Sequence, residues 1–471
     1  MPASPARLKV ALVTLGCDKN TVDSERYLAE LVSYGAEATS VFAEAEVILV
    51  NTCGFIDAAK KESIDALLEA GRFKVDGVCR AVVAVGCMVE RHKGELTDAL
   101  PEVDLFLGAS EVDRLVPALE ERGLVRGEII DHPGVRIYSG DLPHVRYLKI
   151  SEGCDHGCAF CAIPLMRGKH RSFSLDDVVR EAQLLELQGA REVNLVAQDL
   201  AHWGRDVRDG RGLPDLLEAL LRETSLPWFR LLYLYSAGLT PRLLELMARE
   251  PRILPYLDIP MQHASDAVLA RMRRPERQQT QRERLARIRA AVPDVAIRTT
   301  CIVGFPGETD DDFDQLLRFL EEVQFDRVGA FTYSAQEGTR AAEMVDDVPD
   351  FLKRERLERL SELQRAITAE RYERHIGRTV RAIVDRARDE DGPAQARTVW
   401  QADDVDGVTW IDGDVRPGDL IEARIDDVVD DYDFEATLIR VVTPAAAPAT
   451  ARARSTRVLP LVGASIGSYG R

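Results

Sequence analysis

A chain of 471 residues with 45% hydrophobic and 30% charged residues has the composition of a globular protein, and it is too long for one core, so about three domains are expected. Its net charge of -18 repels phosphate backbones at long range and favours a basic partner or a small anion in a local pocket. No apolar run approaches the eighteen or so residues that cross a bilayer, which argues against a membrane protein. Eight cysteines without a secretory signal point to a reducing compartment, read as the cytoplasm, and to metal or redox use rather than disulfides. The one signal-like segment, Arg7 to Cys17, has an apolar stretch over Val10 to Leu15, shorter than the roughly 7 to 15 residues of a signal peptide.

The N-terminal region contains an internal echo. Three β-branched runs each end in a cysteine: Lys9 to Cys17 (KVALVTLGC), Glu46 to Cys53 (EVILVNTC) and Arg80 to Cys87 (RAVVAVGC). Helical periodicity over Ser24 to Tyr34 and Ala58 to Ala70 predicts a βαβαβ pattern and a parallel sheet within residues 1–132. Strand carboxyl ends in such a sheet share one edge, outside which ligands bind, so Cys17, Cys53 and Cys87 can converge there. Each alone reads better as a buried structural thiol; their repetition reverses that. Cys79 begins the strand that Cys87 ends, about 26 Å away at about 3.3 Å per residue, and is expected outside the group.

After a Pro- and Gly-containing linker at about 133–143, strands are predicted at Val145 to Ile150, Glu192 to Ala197, Phe229 to Tyr235, Tyr256 to Ile259, Val295 to Val303 and Arg327 to Tyr333. Helices separate them, among them Asp176 to Leu187, Pro214 to Arg222 and Asp311 to Val323. Six units fall short of the eight of a closed barrel, so residues 143–374, which end in a charged helix over Pro349 to Arg374, should form a partial (βα)6 barrel with an open side. Short alternating runs with turns at Asp412-Gly413-Asp414 and Arg416-Pro417-Gly418 predict a small β-barrel over 376–442. The Ala/Pro-rich and then basic residues 443–471 read as a flexible tail.

The segment Gly153-Cys154-Asp155-His156-Gly157-Cys158-Ala159-Phe160-Cys161 follows directly on a predicted strand. Three thiolates spaced CxxxCxxC can wrap one corner of a 4Fe-4S cubane from a single loop. The fourth iron then has no ligand in the motif, and such an open position can chelate the amino and carboxylate groups of S-adenosylmethionine. A zinc site would want four ligands and more often CxxC pairs, with His156 the stray fourth.

This loop, with aromatic Phe160 just before its last cysteine, resembles the radical S-adenosylmethionine superfamily. The chain up to about Val442 resembles the methylthiotransferase family, whose N-terminal pattern is matched by Leu15-Gly16-Cys17, Asn51-Thr52-Cys53 and Val85-Gly86-Cys87. The resemblance implies an α/β protein with an N-terminal parallel-sheet domain, a partial (βα)6 radical barrel and a C-terminal TRAM β-barrel. It implies two 4Fe-4S clusters, one on Cys154, Cys158 and Cys161 with S-adenosylmethionine, the other, with an open iron, on Cys17, Cys53 and Cys87. It further implies an electron donor for the first cluster and cleavage of S-adenosylmethionine to methionine and a 5'-deoxyadenosyl radical, which removes hydrogen from an unactivated carbon. A sulfur donor feeds the second cluster, which supplies a methylsulfide whose methyl comes from a second S-adenosylmethionine.

Beyond the cluster ligands no catalytic residue is assigned. Candidate cofactor-binding residues are Phe160, Gln198 beside Asp199 after the second barrel strand, and Gln262 in Asp258-Ile-Pro-Met-Gln-His263 after the fourth. Gly304, with Gly307, lies in Thr299 to Glu308 (TTCIVGFPGE), which resembles the family's fifth strand and adenine-side loop. Helix capping is an equal reading for the polar groups and a turn nearly so for the glycines, while Cys301 in the same segment reads as core.

Two branches of the family matter: one modifies an adenosine of tRNA, the other the β-carbon of an aspartate in the twelfth protein of the small ribosomal subunit. From Ile376 to Arg440 there are 17 Asp and Glu against 8 Arg and no Lys. A surface that grips tRNA needs Lys and Arg against phosphates, so this module argues against tRNA and suits a basic ribosomal protein, free or on the ribosome. Gln198-Asp199 and Asp404-Val405-Asp406-Gly407 also look more like the second branch, although Leu200-Ala201-His202 stands where small hydroxylated residues are usual. A competing class is a non-catalytic, metal-stabilised RNA-binding protein, against which the acidic module and the three-cysteine groups both weigh.

Overall fold

The computed structural model describes residues 7–125, 136–138, 140–390 and 392–445; the predicted tail from residue 446 onward lies outside the described residues. The N-terminal part runs β1 (Lys9–Thr14), α1 (Asp18–Ser33), β2 (Glu37–Ala38), β3 (Val47–Thr52), α2 (Asp57–Asp76), β4 (Ala81–Gly86), α3 (Cys87–Ala99), β5 (Leu105–Gly108) and α4 (Leu115–Glu121). Its five strands form one parallel sheet in the order β2-β1-β3-β4-β5. β3 and β4 are buried along their whole length, which is why they read as unbroken apolar runs.

The central part comprises β6 (Val145–Lys149), β7 (Ser151–Glu152), α5 (Ile163–Arg167), β8 (Arg171–Ser172), α6 (Leu175–Leu187), β9 (Glu192–Val196), α7 (Leu213–Glu223) and β10 (Trp228–Leu231). It continues through α8 (Pro241–Arg249), β11 (Ile253–Asp258), α9 (Asp266–Arg271), α10 (Gln278–Ala291), β12 (Ala296–Val303), α11 (Asp310–Val323), β13 (Arg327–Thr332) and α12 (Asp350–Glu373). Six parallel strands order as β13-β12-β11-β10-β9-β6 and leave the sheet open between its edges, as the count of six units predicted. Helix starts follow their capping residues: the Ser174, Thr240 and Thr309 side chains accept from Asp177, Leu243 and Asp312 backbone N–H.

Two predicted boundaries shift for identifiable reasons. The strand expected over Phe229 to Tyr235 stops at Leu231, because Tyr233 adopts a left-handed φ of 63° and its hydroxyl donates to Asp18 at 2.9 Å. The first helix begins at Asp18, not Ser24, since its polar first turn packs at a domain junction and carries no apolar period.

A closed five-stranded barrel follows: β14 (Thr379–Arg386), β15 (Ala394–Thr398), β16 (Thr409–Asp412), β17 (Leu420–Val429) and β18 (Asp433–Thr443), ordered β14-β15-β16-β18-β17. Its core is continuous with Trp228, Leu254 and Ala296, which stand near the amino ends of their strands, and with Tyr256 in the middle of β11. Charged pairs complete this contact. Buried Glu192 accepts from Arg230 at 2.7 Å and pairs with Arg397 at 2.8 Å, and Arg397 pairs with Asp385 at 2.6 Å. The loop after β15 enters the sheet interior, where Asp403 accepts from Asn194 at 2.7 Å and from the Tyr147 hydroxyl, and Asp406 accepts from Tyr256. The small barrel therefore stoppers the amino-terminal side of the open sheet and leaves the carboxyl ends of its strands to other elements. Among the described residues no helix is long and apolar enough to cross a membrane.

This junction has a pH signature. Burial pushes the Asp403 carboxyl from its ordinary 3.8 up to about 7, against the opposing pull of Arg397. Its folded-state affinity for a proton exceeds the unfolded one, so its contribution is fully present below about pH 4 and is lost as pH rises through about 7. Asp385 works in a lower window: burial disfavours its charge, but Arg397 and His144 hold it down at about 2, so its contribution is lost only in acid. Asp403→Asn should flatten the fall in melting temperature between about pH 4 and 7, and an unchanged slope in thermal scans would refute the assignment.

Candidate active site

The radical-type loop is held at its base by the β7–β8 pairing of Ser151 with Ser172 and Glu152 with Arg171. Gly153 has φ +78°, and a Cβ there would run into the Lys169 carbonyl oxygen, so only glycine fits. Cys154 N–H then donates to Gly168 O at 3.1 Å, Cys161 N–H to Cys158 O at 3.2 Å, and Ala159 N–H to Met272 O at 2.9 Å. Phe160 meets Phe305 edge to face at 6.5 Å within a small apolar cluster that includes Met272 and Tyr333. This cluster anchors the loop to the turn after β12.

Burial pushes the Cys154 thiol up to about 11 and the Cys161 thiol up to about 12, with neighbouring thiols adding to the shift. Such sulfurs are not free nucleophiles at neutral pH; a cluster's positive irons supply the charge that deprotonates them. Arg274 reaches Cys158 Sγ at 3.8 Å and its guanidinium stands 4.5 Å over the Tyr235 ring. His156 stacks between Tyr235 and His202, at 4.1 and 4.5 Å, and its Nε2 hydrogen-bonds Asp199 at 2.8 Å.

The polar candidates follow the strand carboxyl ends. Gln198 donates to Glu152 at 3.0 Å, while its amide oxygen is buried without a protein partner. Gln262 lies at φ 72° with its amide oxygen likewise buried and unpaired. Leaving such an acceptor unsatisfied costs about 1–3 kcal/mol, which a polar ligand would remove. Asp199 accepts from Ala201 and Tyr235 backbone N–H, so it does serve as a cap. Gly304 serves the turn: its N–H donates to Glu308 at 2.8 Å, and the space of a missing Cβ is filled by Lys353. Cys301 is 1% exposed in the main apolar core.

In the N-terminal domain Cys17 caps α1, Cys53 follows β3 and Cys87 opens α3. A Cβ on Gly16, whose φ is +93°, would lie 2.8 Å from Cys53 Cβ, so these two segments touch. Burial pushes the Cys53 thiol up to about 12, with Cys17 and Cys87 adding to the shift. Two of them sit at helix N-termini, where anionic ligands are favoured. Cys79 lies apart, ahead of β4, with its Sγ donating to Ala81 O at 3.4 Å.

Sequence reading missed the groups between the triplets. Arg167 Nε lies 3.1 Å from Cys87 Sγ, and Nη1 reaches Asp23 at 2.6 Å and Glu152 at 3.3 Å. Lys149 joins the same two carboxylates, at 2.7 Å in the case of Glu152. The only hint was a basic residue soon after Cys161, and nothing local says that it crosses to another domain.

Comparison with known proteins agrees with this architecture. The radical SAM superfamily is matched over 148–320, the uncharacterized protein family UPF0004 over 9–108 and the TRAM domain over 376–439. A protein of Anaeromyxobacter sp. (strain Fw109-5) named ribosomal protein uS12 methylthiotransferase RimO is 43% identical over 470 residues, covering 97% of this chain and 100% of that relative. A protein of the same name from Geobacter sulfurreducens is 42% identical and covers 93% and 100%.

The chain belongs to the RimO family. It is a radical S-adenosylmethionine enzyme, with the 4Fe-4S cluster and S-adenosylmethionine that membership entails. The solved radical S-adenosylmethionine methyltransferase TsrM from Kitasatospora setae shares the fold, with a TM-score of 0.51 and 14% identity over 69% of this chain and 73% of that one. The geometry of the loop can be tested directly. Gly153→Ala should abolish 5'-deoxyadenosine formation and lower bound iron, while far-ultraviolet circular dichroism stays that of the parent. Normal iron and turnover would show that the positive φ at Gly153 is dispensable.

Proposed function

We propose that this chain inserts a methylthio group at the β-carbon of an aspartate in the small-subunit ribosomal protein uS12. It would act as three domains, 1–132, 143–374 and 376–442, in the cytoplasm, with a separate electron donor and sulfur donor. The observation that carries the reading is the junction of the two cysteine triplets, where Arg167, six residues beyond Cys161, touches Cys87. A protein needing one cluster for structure has no use for a second open triplet at the same junction.

The residues present fit the groups that this reading requires. Cys154, Cys158 and Cys161 would hold the radical cluster and Cys17, Cys53 and Cys87 a second one, each a three-thiolate set of the kind that leaves one iron open. The unpaired amide oxygens of Gln198 and Gln262 suit the polar groups of S-adenosylmethionine. When bound, these cofactors supply hydrogen abstraction from an unactivated carbon and a transferable methylsulfide, chemistry that no side-chain acid or base performs. The chain's own part is orientation and dryness: Phe160 and Phe305 fix the loop, and the TRAM module closes the far side of the sheet.

Substrate choice rests on charge. Part of the TRAM module's acidity is consumed internally, by Asp385, Asp403 and Asp406, and exposed Asp412, Asp426 and Asp431 pair with Arg388, Arg424 and Arg365, but Asp414, Asp427 and Asp430 add further exposed carboxylates. That outward field favours a basic protein and disfavours tRNA.

After anaerobic reconstitution the chain should bind about eight irons. Replacing Cys154, Cys158 and Cys161 by Ala should halve the iron and abolish 5'-deoxyadenosine, whereas replacing Cys17, Cys53 and Cys87 should halve the iron, retain some cleavage and lose methylthiolation. Methylthio product at normal yield from the second variant would sink the two-cluster reading. Charge reversal of Asp426, Asp427, Asp430 and Asp431 to Lys should slow uS12 modification by about tenfold at low salt, the difference shrinking as salt rises. Isolated tRNA offered in parallel provides the control, and methylthiolated adenosine with an unchanged aspartate in uS12 would overturn the substrate assignment.

A further inference from the structure

Arg167 ends α5, in the radical domain, yet only 4% of its side chain is exposed and most of its partners belong to the N-terminal domain. Nη2 donates to Asn20 Oδ1, Nη1 to Asp23 and Glu152, and Nε points at Cys87 Sγ from 3.1 Å. The planar fork is therefore fixed on every edge. Asn20 is itself held by donating to Leu15 O at 2.7 Å and Thr52 O at 3.3 Å, in the segments that carry Cys17 and Cys53. One guanidinium thus touches a Cys87 sulfur while resting on the framework of the other two cysteines. Glu152 on its other edge stands two residues before Cys154, with Gln198 donating to it at 3.0 Å.

The local charges give this contact a redox meaning. Arg167 and Lys149 balance Asp23 and Glu152, so the quartet is neutral without the sulfur, and the N–H on Cys87 Sγ is charge-assisted. Hydrogen bonds to cluster sulfurs and nearby positive charge stabilise the form that carries one more electron, and burial amplifies both effects. A residue that only tied two domains together would be satisfied by Asp23, Glu152 and Asn20 and would have no reason to turn Nε to a thiol.

We propose that Arg167 is a positioning residue that raises the reduction potential of the cluster held by Cys17, Cys53 and Cys87, acting through the Cys87 sulfur. The inference rests on the assignment of that cluster to those cysteines. In the step concerned the cluster gains one electron from an external reductant, and no bond is made or broken.

The test uses the full chain carrying Cys154→Ala, Cys158→Ala and Cys161→Ala, so that only the N-terminal cluster remains. After anaerobic reconstitution it should hold about four irons, and its midpoint potential is read by electron paramagnetic resonance during titration with dithionite. If this parent holds no iron, the cluster assignment fails and the proposal falls with it. If it does, Arg167→Gln should make reduction about tenfold less favourable, a midpoint about 59 mV lower, and Arg167→Lys should recover part of the difference. Four irons with an unchanged midpoint in Arg167→Gln would overturn the role of Arg167 and leave the cluster standing. Should Arg167→Gln lose its iron, Asp23→Asn decides. Freeing the guanidinium from its strongest carboxylate should move the midpoint upward, and no movement would overturn the proposal.

Discussion

The six parallel strands of this sheet do not close on themselves, and much else in this molecule follows from what fills the open interior. The amino-terminal side is filled by the TRAM barrel through a continuous apolar core and a file of buried charges from Glu192 and Arg230 to Arg397 and Asp385. Each of those charges has a partner, and a lone one would cost several kcal/mol. Filling that side from the TRAM module leaves the carboxyl ends free to carry the radical loop.

That docking is polar, and the polarity is organised around the cysteines. Asp18, Lys19, Asn20 and Asp23 occupy the first turns of α1, directly after Cys17, and meet Tyr233, Arg167 and Lys149 of the central domain. Helix starts that must face a charged junction cannot also display an apolar stripe, which is why the amphipathic period of α1 becomes visible only from Val22 onward. Each cysteine triplet meets one buried arginine: Arg167 at Cys87 and Arg274 at Cys158. Arg274 is held in turn by the Pro260 carbonyl, the Tyr235 ring and Glu276, so both guanidinium groups are fixed before any cofactor arrives. Preorganised charge of this kind acts without reorganisation when electron density changes nearby.

The residues around the radical loop combine capping with anchoring of the loop. Asp199 satisfies two backbone N–H groups and also holds His156, which stacks on Tyr235. His202, the last residue of the Leu200-Ala201-His202 segment that stands where small hydroxylated residues are usual, extends that stack. Among the buried acceptors left over are the amide oxygens of Gln198 and Gln262, so not every polar group at the strand ends is used to hold the loop.

Much of this was legible in the sequence because its determinants are local. The β-branched runs, the six strand–helix units, the cysteine spacing of the radical loop and the alternation in the last module all depend on residues within a few positions of one another. Cys79 could be set apart from Cys87 by strand length alone, and Cys301 could be read as core. What only the tertiary structure decided are the relations between segments far apart in the chain. These are the shortened strand at Tyr233, the TRAM loop inside the sheet, the His156 stack and the reach of Arg167 to Cys87. Periodicity reports which face of an element is buried, but not against what. A buried arginine and a solvated one look the same in sequence, because Asp23 and the Cys87 sulfur, which help to fix its position, come from a distant part of the chain.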